Sequence, residues 1–200
     1  MDEIMQPARR RPFGLTDYLA WIGLSATAVL VGMVASYALI FVVKGVNPDL
    51  NEDRFMGWGL MAVLGAFIGA AQWLMLRGRV PRAGWWIPAT AAGLWAGTTL
   101  AFRITGMRLP ILPYQLLLGG AVTGFILGPV QLAVLRPGRR GAVIWLLASA
   151  LGWLLLTFVT GESLDRTTDL LALGAVPAAV SGLTLAWFWG DVASSHTDEQ

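Results

Sequence analysis

The chain of 200 residues contains no cysteine, which excludes disulfides, thiolate metal sites and a cysteine nucleophile. Its one histidine, His196, lies in a polar tail. No apolar segment therefore carries an imidazole to ligate haem or chlorophyll or to act as a general base. Charge is scarce as well. Only 13% of the residues are Asp, Glu, Lys or Arg, about half the share of a soluble domain. None of these charges falls near the middle of a long apolar run, because Asp17, Arg103, Glu162 and Asp169 all sit at boundaries. Proton-coupled carriers and pumps usually need a charged group at the midplane, so its absence argues against that class. Phosphate loops and metal-binding helix motifs are also missing.

What the chain has in abundance is apolar sequence, 56% by composition with a mean hydropathy of +0.64. Six stretches are long enough to span a bilayer: 17–43, 55–76, 85–102, 111–135, 143–160 and 170–189, the third and fifth being the shortest. The expected fold is all-α, a polytopic membrane bundle of about six transmembrane helices. It divides into a basic arm (1–16), a transmembrane domain (17–189) and a polar tail (190–200). Arg9, Arg10, Arg11, Arg77, Arg79, Arg82, Arg136, Arg139 and Arg140 put nine of the 14 basic residues on alternate connections. By the positive-inside rule those connections and both termini face the cytoplasm, with the bacterial inner membrane as the expected location. The pair Arg10-Arg11 superficially resembles a twin-arginine export signal, but the apolar run behind it is long enough to span and reads as an anchor.

A helix hairpin is written twice. Residues 65–97 and 124–156 match without a gap at 10 of 33 positions, where roughly three would arise by chance in such a composition. The matches include Gly65/Gly124, Gly69/Gly128, Gln72/Gln131, Arg77/Arg136 and Trp86/Trp145. The repeat units span about 57–102 and 116–160. Two spans per unit make the copies enter the membrane in the same direction, related by a pseudo-axis along its normal. In the sixth span, Gly174, Ala178 and Gly182 echo Gly120, Gly124 and Gly128, which leaves Leu185 where a glutamine would fall. The first span has Ala28, Gly32 and Ser36 at the same interval. Small residues every fourth position form a stripe that lets backbones approach. The stripes are expected to pack within the bundle, or one of them to dock another protein. Pro88, Pro129 and Pro177 fall inside spans and read as packing kinks.

Gln72 and Gln131 occupy equivalent places, five residues before the helix-ending Arg77 and Arg136. A buried amide in lipid needs partners, so the pair is expected to tie the hairpins together or to line a polar pocket. Arg77 and Arg136 are expected to complement helix dipoles and reach phospholipid phosphates. Of the ten tryptophans, Trp21, Trp58, Trp73, Trp85, Trp86, Trp187 and Trp189 fall near span ends as an interfacial belt would, whereas Trp95, Trp145 and Trp153 fit a core. The acidic loops 47–53 and 162–169 lack regular ligand spacing and read as solvated. No catalytic, cofactor-binding or metal-binding residue is expected, and the scattered basic residues do not form a nucleic-acid surface.

Ala179-Val180-Ser181-Gly182 superficially resembles the Gly-x-Ser-Gly of rhomboid proteases, but its first glycine is an alanine and no span supplies a base. The segment QWLMLR from Gln72, with Gly65 and Gly69 before it and Gly84-Trp85-Trp86 after it, resembles a motif of uncharacterised bacterial multi-pass membrane proteins. Many of those carry it in tandem. The resemblance covers about 57–160, departs in the second copy at Leu132, and implies a fold without an activity.

The leading functional expectation is a non-catalytic integral-membrane accessory or scaffold subunit of a larger bacterial complex, an energy-converting one among the candidates. Its partners would be membrane lipids and other integral membrane proteins, with no nucleic acid and no cofactor. The alternative is a small-solute binding or transport component with its pocket near Gln72 and Gln131. A lipid-modifying enzyme ranks last, since it lacks an acid, a base and a nucleophile.

The topology is open to direct measurement. A fluorescent protein fused after Arg82, after Arg140 or at Gln200 is expected to fluoresce, and alkaline phosphatase at the same points to stay inactive. Phosphatase activity at these sites would invert the topology.

Overall fold

The computed structural model describes residues 13–47, 52–105, 113–160 and 167–194, without the side chains of 52–58, 113–116, 160 and 190–194. The arm with Arg9–Arg11, loop residues 48–51 and 161–166, and the tail with His196 lie outside the described residues, as do the side chains of Trp58 and Gln115. The fold is all-helical: α1 (Leu15–Val46), α2 (Glu52–Leu76), α3 (Trp86–Thr105), α4 (Pro113–Leu135), α5 (Arg139–Thr160) and α6 (Thr167–Ser194), with one 3₁₀ turn at Ala83–Trp85. Five of the six helices are long and apolar enough to cross a membrane. The exception is α3, one of the two shortest expected spans; four threonines, Pro88 and Arg103 dilute its apolar sequence.

The surface is that of a protein built for lipid. Leu19, Val34, Phe41, Phe125, Leu147 and Phe158 are exposed, whereas Ser25, Gln72, Thr90, Gln131 and Ser149 are buried. Apolar outside and polar inside inverts the pattern of a soluble bundle. Several other hydroxyls are satisfied within their own helices: Ser36 donates to Gly32 O (2.7 Å), Thr123 to Gly119 O (2.8 Å) and Thr98 to Leu94 O (2.7 Å). Water cannot do this in hydrocarbon.

Each helix packs against its chain neighbours, and α6 returns to pack against α1. The six helices therefore close a ring. Neighbours run antiparallel: Gly65 and Gly69 of α2 lie against Ala91 and Ile87 of α3, while Gly93 and Gly97 of α3 lie against Leu127 and Thr123 of α4.

One contact recurs three times. A methyl group added at Gly65 would meet Ala91 Cα at 2.8 Å and Thr90 O at 2.9 Å. At Gly124 it would meet Ser149 O and Ala150 Cα, and at Gly174 Ser25 O and Ala26 Cα. Thus α2–α3, α4–α5 and α6–α1 share one backbone-to-backbone seat. This register corrects the sequence alignment of α6. Gly174 is the counterpart of Gly124, one helical turn from the expected Gly120, so Ala178 falls on Gly128 and Ser181 on Gln131. Leu185 falls on Leu76 and Leu135. Alignment by small residues alone allowed this slip, because the Gly/Ala stripe itself repeats every four residues. The other seams use the same device: Gly32 of α1 meets Leu64 and Phe67 of α2, and Gly152 of α5 meets Pro177 of α6. Gly120 packs on Trp153, and Gly182 packs on Tyr18 and Trp21. Every glycine stripe singled out in the sequence is thus covered by a neighbouring helix.

The prolines divide by position. Pro88 sits in the first turn of α3, where no helical donor is lost. Pro129 is exposed on the outside of α4. Pro177 faces inward from α6.

The seats are testable by stability in detergent. Gly65→Ala and Gly124→Ala push a methyl into backbone and are expected to cost about 1–3 kcal/mol each. Gly23→Ala, with nothing within 4 Å of the new methyl, is expected to be neutral or stabilising by up to about 1 kcal/mol.

Candidate functional site: a neutral polar lumen

The ring encloses a cavity of about 40 Å³, room for about three water molecules. Gln72 on α2, Thr90 on α3, Gln131 on α4, Ser149 on α5 and Ser181 on α6 line it, together with apolar groups that include Leu127 and Trp153. Both glutamines singled out in the sequence thus face one space, at 7% and 5% exposure.

The amides do not bond to each other. Gln72 Nε2 donates to Ser25 Oγ on α1 (3.1 Å), and Gln72 Oε1 accepts from Trp86 Nε1 on α3 (2.9 Å). Gln131 Nε2 donates to Thr90 Oγ1 on α3 at 3.3 Å. Each glutamine therefore reaches back to a hydroxyl on the preceding helix, and Gln131 joins the two hairpins in doing so. Trp21 Nε1 donates to Ser181 Oγ (3.2 Å), which in turn donates to Ala178 O (3.3 Å).

Three tryptophans close the lumen toward the end that bears Arg77 and Arg136. Trp21, Trp86 and Trp145 are each at most 1% exposed. Trp86 stands edge-on to Trp21 and to Trp145, with ring centroids 6.4 and 6.0 Å away, a favoured aromatic arrangement. The expected interfacial positions of Trp21 and Trp86 are corrected here, as is the expected core position of Trp95, which is exposed: place along a span does not say which way a ring faces. Trp85, beside Trp86, is exposed as expected. Trp145 occupies the place of Trp86, yet its Nε1 is buried without a hydrogen-bond partner.

Phe13 packs against Trp189 at 5.5 Å, with the Arg79 guanidinium 5.5 Å from its ring. Arg79 also pairs with Asp17 at 3.0 Å, and Asp17 accepts from Gly14 N at 3.1 Å. This clasp fastens the start of α1 to the α2–α3 connection, and no local sequence pattern marks it. Arg77 and Arg136 follow directly on the last residues of α2 and α4, and both are exposed. Arg77 lies 5.8 Å from the Trp73 ring. Arg136, at φ 49°, takes the left-handed conformation that ends α4.

The triad and its hydroxyls were visible in the sequence as a pattern read only in part: WIGLSA from Trp21, WIPATA from Trp86 and WLLASA from Trp145. Each places a tryptophan four residues before a Ser or Thr and five before an alanine. Chemically, the lumen is neutral. Every buried polar side chain among the described residues is Ser, Thr or Gln, and no cluster of three His, Cys, Asp or Glu residues occurs among them. It can hydrogen-bond, but it offers no group to transfer a proton at ordinary pH.

Two matched substitutions isolate the indole bond. Trp86→Phe and Trp145→Phe remove similar volumes from equally buried places, but only the first orphans an acceptor. Trp86→Phe is expected to cost about 1–2 kcal/mol more than Trp145→Phe in detergent unfolding. Equal losses would mean that the Trp86–Gln72 bond carries no stability.

No protein family matches the chain, nor does any curated protein or solved structure compared with it.

Proposed function

We propose that this protein is a non-catalytic integral-membrane accessory subunit, acting through its outer surface as part of a larger bacterial membrane assembly. One observation carries the reading: most of the interior, the α5 side apart, is taken up by the contacts that hold the ring together. Gln72 is bonded through both ends of its amide, the glycine seats join backbone to backbone, and the space left is about 40 Å³. Metabolite pockets are typically about 300–1,000 Å³. With neutral groups lining that space, the larger surface left for function is the broad apolar exterior, with an arginine-bearing rim for phospholipid phosphates. The glycine stripes are not free to dock a partner, so a partner would meet larger apolar side chains.

A second reading, a small-solute binding component, is favoured by the meeting of Gln72 and Gln131 in one cavity. The two readings diverge in native mass spectrometry of the protein released from its source membrane in mild detergent. The accessory reading expects a defined assembly with other integral membrane proteins. A bare monomer or homo-oligomer would overturn it, and a retained small molecule would then select the second.

A further inference from the structure

The three seams between those seats, α1–α2, α3–α4 and α5–α6, are not filled alike. At two of them a primary amide bridges neighbouring helices: Gln72 reaches Ser25 (3.1 Å), and Gln131 reaches Thr90 (3.3 Å). At the third, between α6 and α5, the amide is missing. Ser181 stands in the glutamine's place, three heavy atoms shorter, and its hydroxyl is turned to Ala178 O and Trp21. Ser149 is the counterpart of Ser25 and Thr90. It is only 7% exposed, lines the cavity and makes no side-chain hydrogen bond. Gln131 adds a carbonyl oxygen, Oε1, that is likewise unbonded, on a side chain 5% exposed. The lumen thus contains the hydroxyls and acceptor of an amide seat without the amide.

We propose that the lumen binds one small uncharged primary amide, of about four non-hydrogen atoms, in place of the missing glutamine side chain. Its carbonyl would accept from Ser149 Oγ and its NH₂ would donate to Gln131 Oε1. Its carbon end would lie against Leu127, Pro177 and Trp153, which line the same space. A charged ligand is disfavoured, because no ionised group lines the cavity to neutralise it. The size follows from the cavity, which holds about three waters' worth of volume. So small a ligand binds weakly, with Kd on the order of millimolar. The proposal rests on the small-solute reading and names the ligand class of that site.

The test is saturation-transfer NMR with acetamide as the probe, on the full chain in detergent micelles. Wild type is expected to give saturable transfer. Ser181→Gln supplies the amide from the chain itself and should weaken binding at least tenfold while keeping or raising Tm. Ser149→Ala removes the partner hydroxyl with little change in volume and should weaken binding severalfold, so the test survives a failure of the first variant to fold. No saturable transfer in wild type, or transfer unchanged in both folded variants, overturns the proposal. A different solute retained through purification, with acetamide unbound, overturns the amide class and leaves the small-solute reading standing.

Discussion

Close approach of helix backbones in a solvent that does not reward apolar burial is the constraint on which this structure depends. Lipid tails are as apolar as leucine, so helices associate through packing and polar contacts. The chain meets that demand with glycine. At Gly65, Gly124 and Gly174 a neighbouring backbone lies where a side chain would otherwise be, and Gly32, Gly97 and Gly152 serve the intervening seams. Because these contacts serve all six seams, the helices close on themselves, and among the described residues large apolar side chains such as Phe41, Phe125 and Phe158 are left on the outside.

Ring closure explains why the interior is polar. Six helices around an axis leave positions that no lipid reaches, and there Ser25, Gln72, Thr90 and Gln131 can bond between helices rather than within them. These bonds specify register. A one-turn slide of α2 against α1 or of α4 against α3 would break an amide–hydroxyl pair in hydrocarbon, where an unsatisfied group costs several kcal/mol. Glycine seats alone tolerate such a slide, since the small residues recur every fourth position. Packing and hydrogen bonding thus divide the work: glycine sets the distance, and the amides set the register.

The sequence disclosed the class and much of the plan. Apolar runs marked five of the helices closely, and the ungapped match of 65–97 to 124–156 placed the two glutamines at equivalent points, where the structure puts them on one cavity. Less was legible where the pattern is degenerate. The four-residue spacing of small residues could not fix the register of α6, so Ser181 went unrecognised as the counterpart of Gln131. Proximity to a span end could not distinguish the buried Trp86 from the exposed Trp85. The clasp of Asp17 with Arg79 joins residues 62 apart in sequence at 3.0 Å, and no local pattern announces it. The α6–α1 pair escaped for a topological reason: its two helices are the last and the first in the chain, so a search for tandem copies does not find them side by side.

The departures from equivalence are confined to one side of the ring. Around α1, α2 and α3 the hydroxyl, amide and indole are bonded in series, from Ser25 through Gln72 to Trp86. On α5 both counterparts stand idle: Trp145 Nε1 has no partner, and Ser149 faces the cavity. An unbonded buried donor costs about 1–3 kcal/mol, a cost that Phe or Ala at the same place would avoid. Here tryptophan and serine are both present while their partners are not engaged. An interior that retains unmet hydrogen-bonding capacity beside a void gains stability when the void is filled by something that meets it. The α5 side of the lumen is therefore where a function inside the ring would reside.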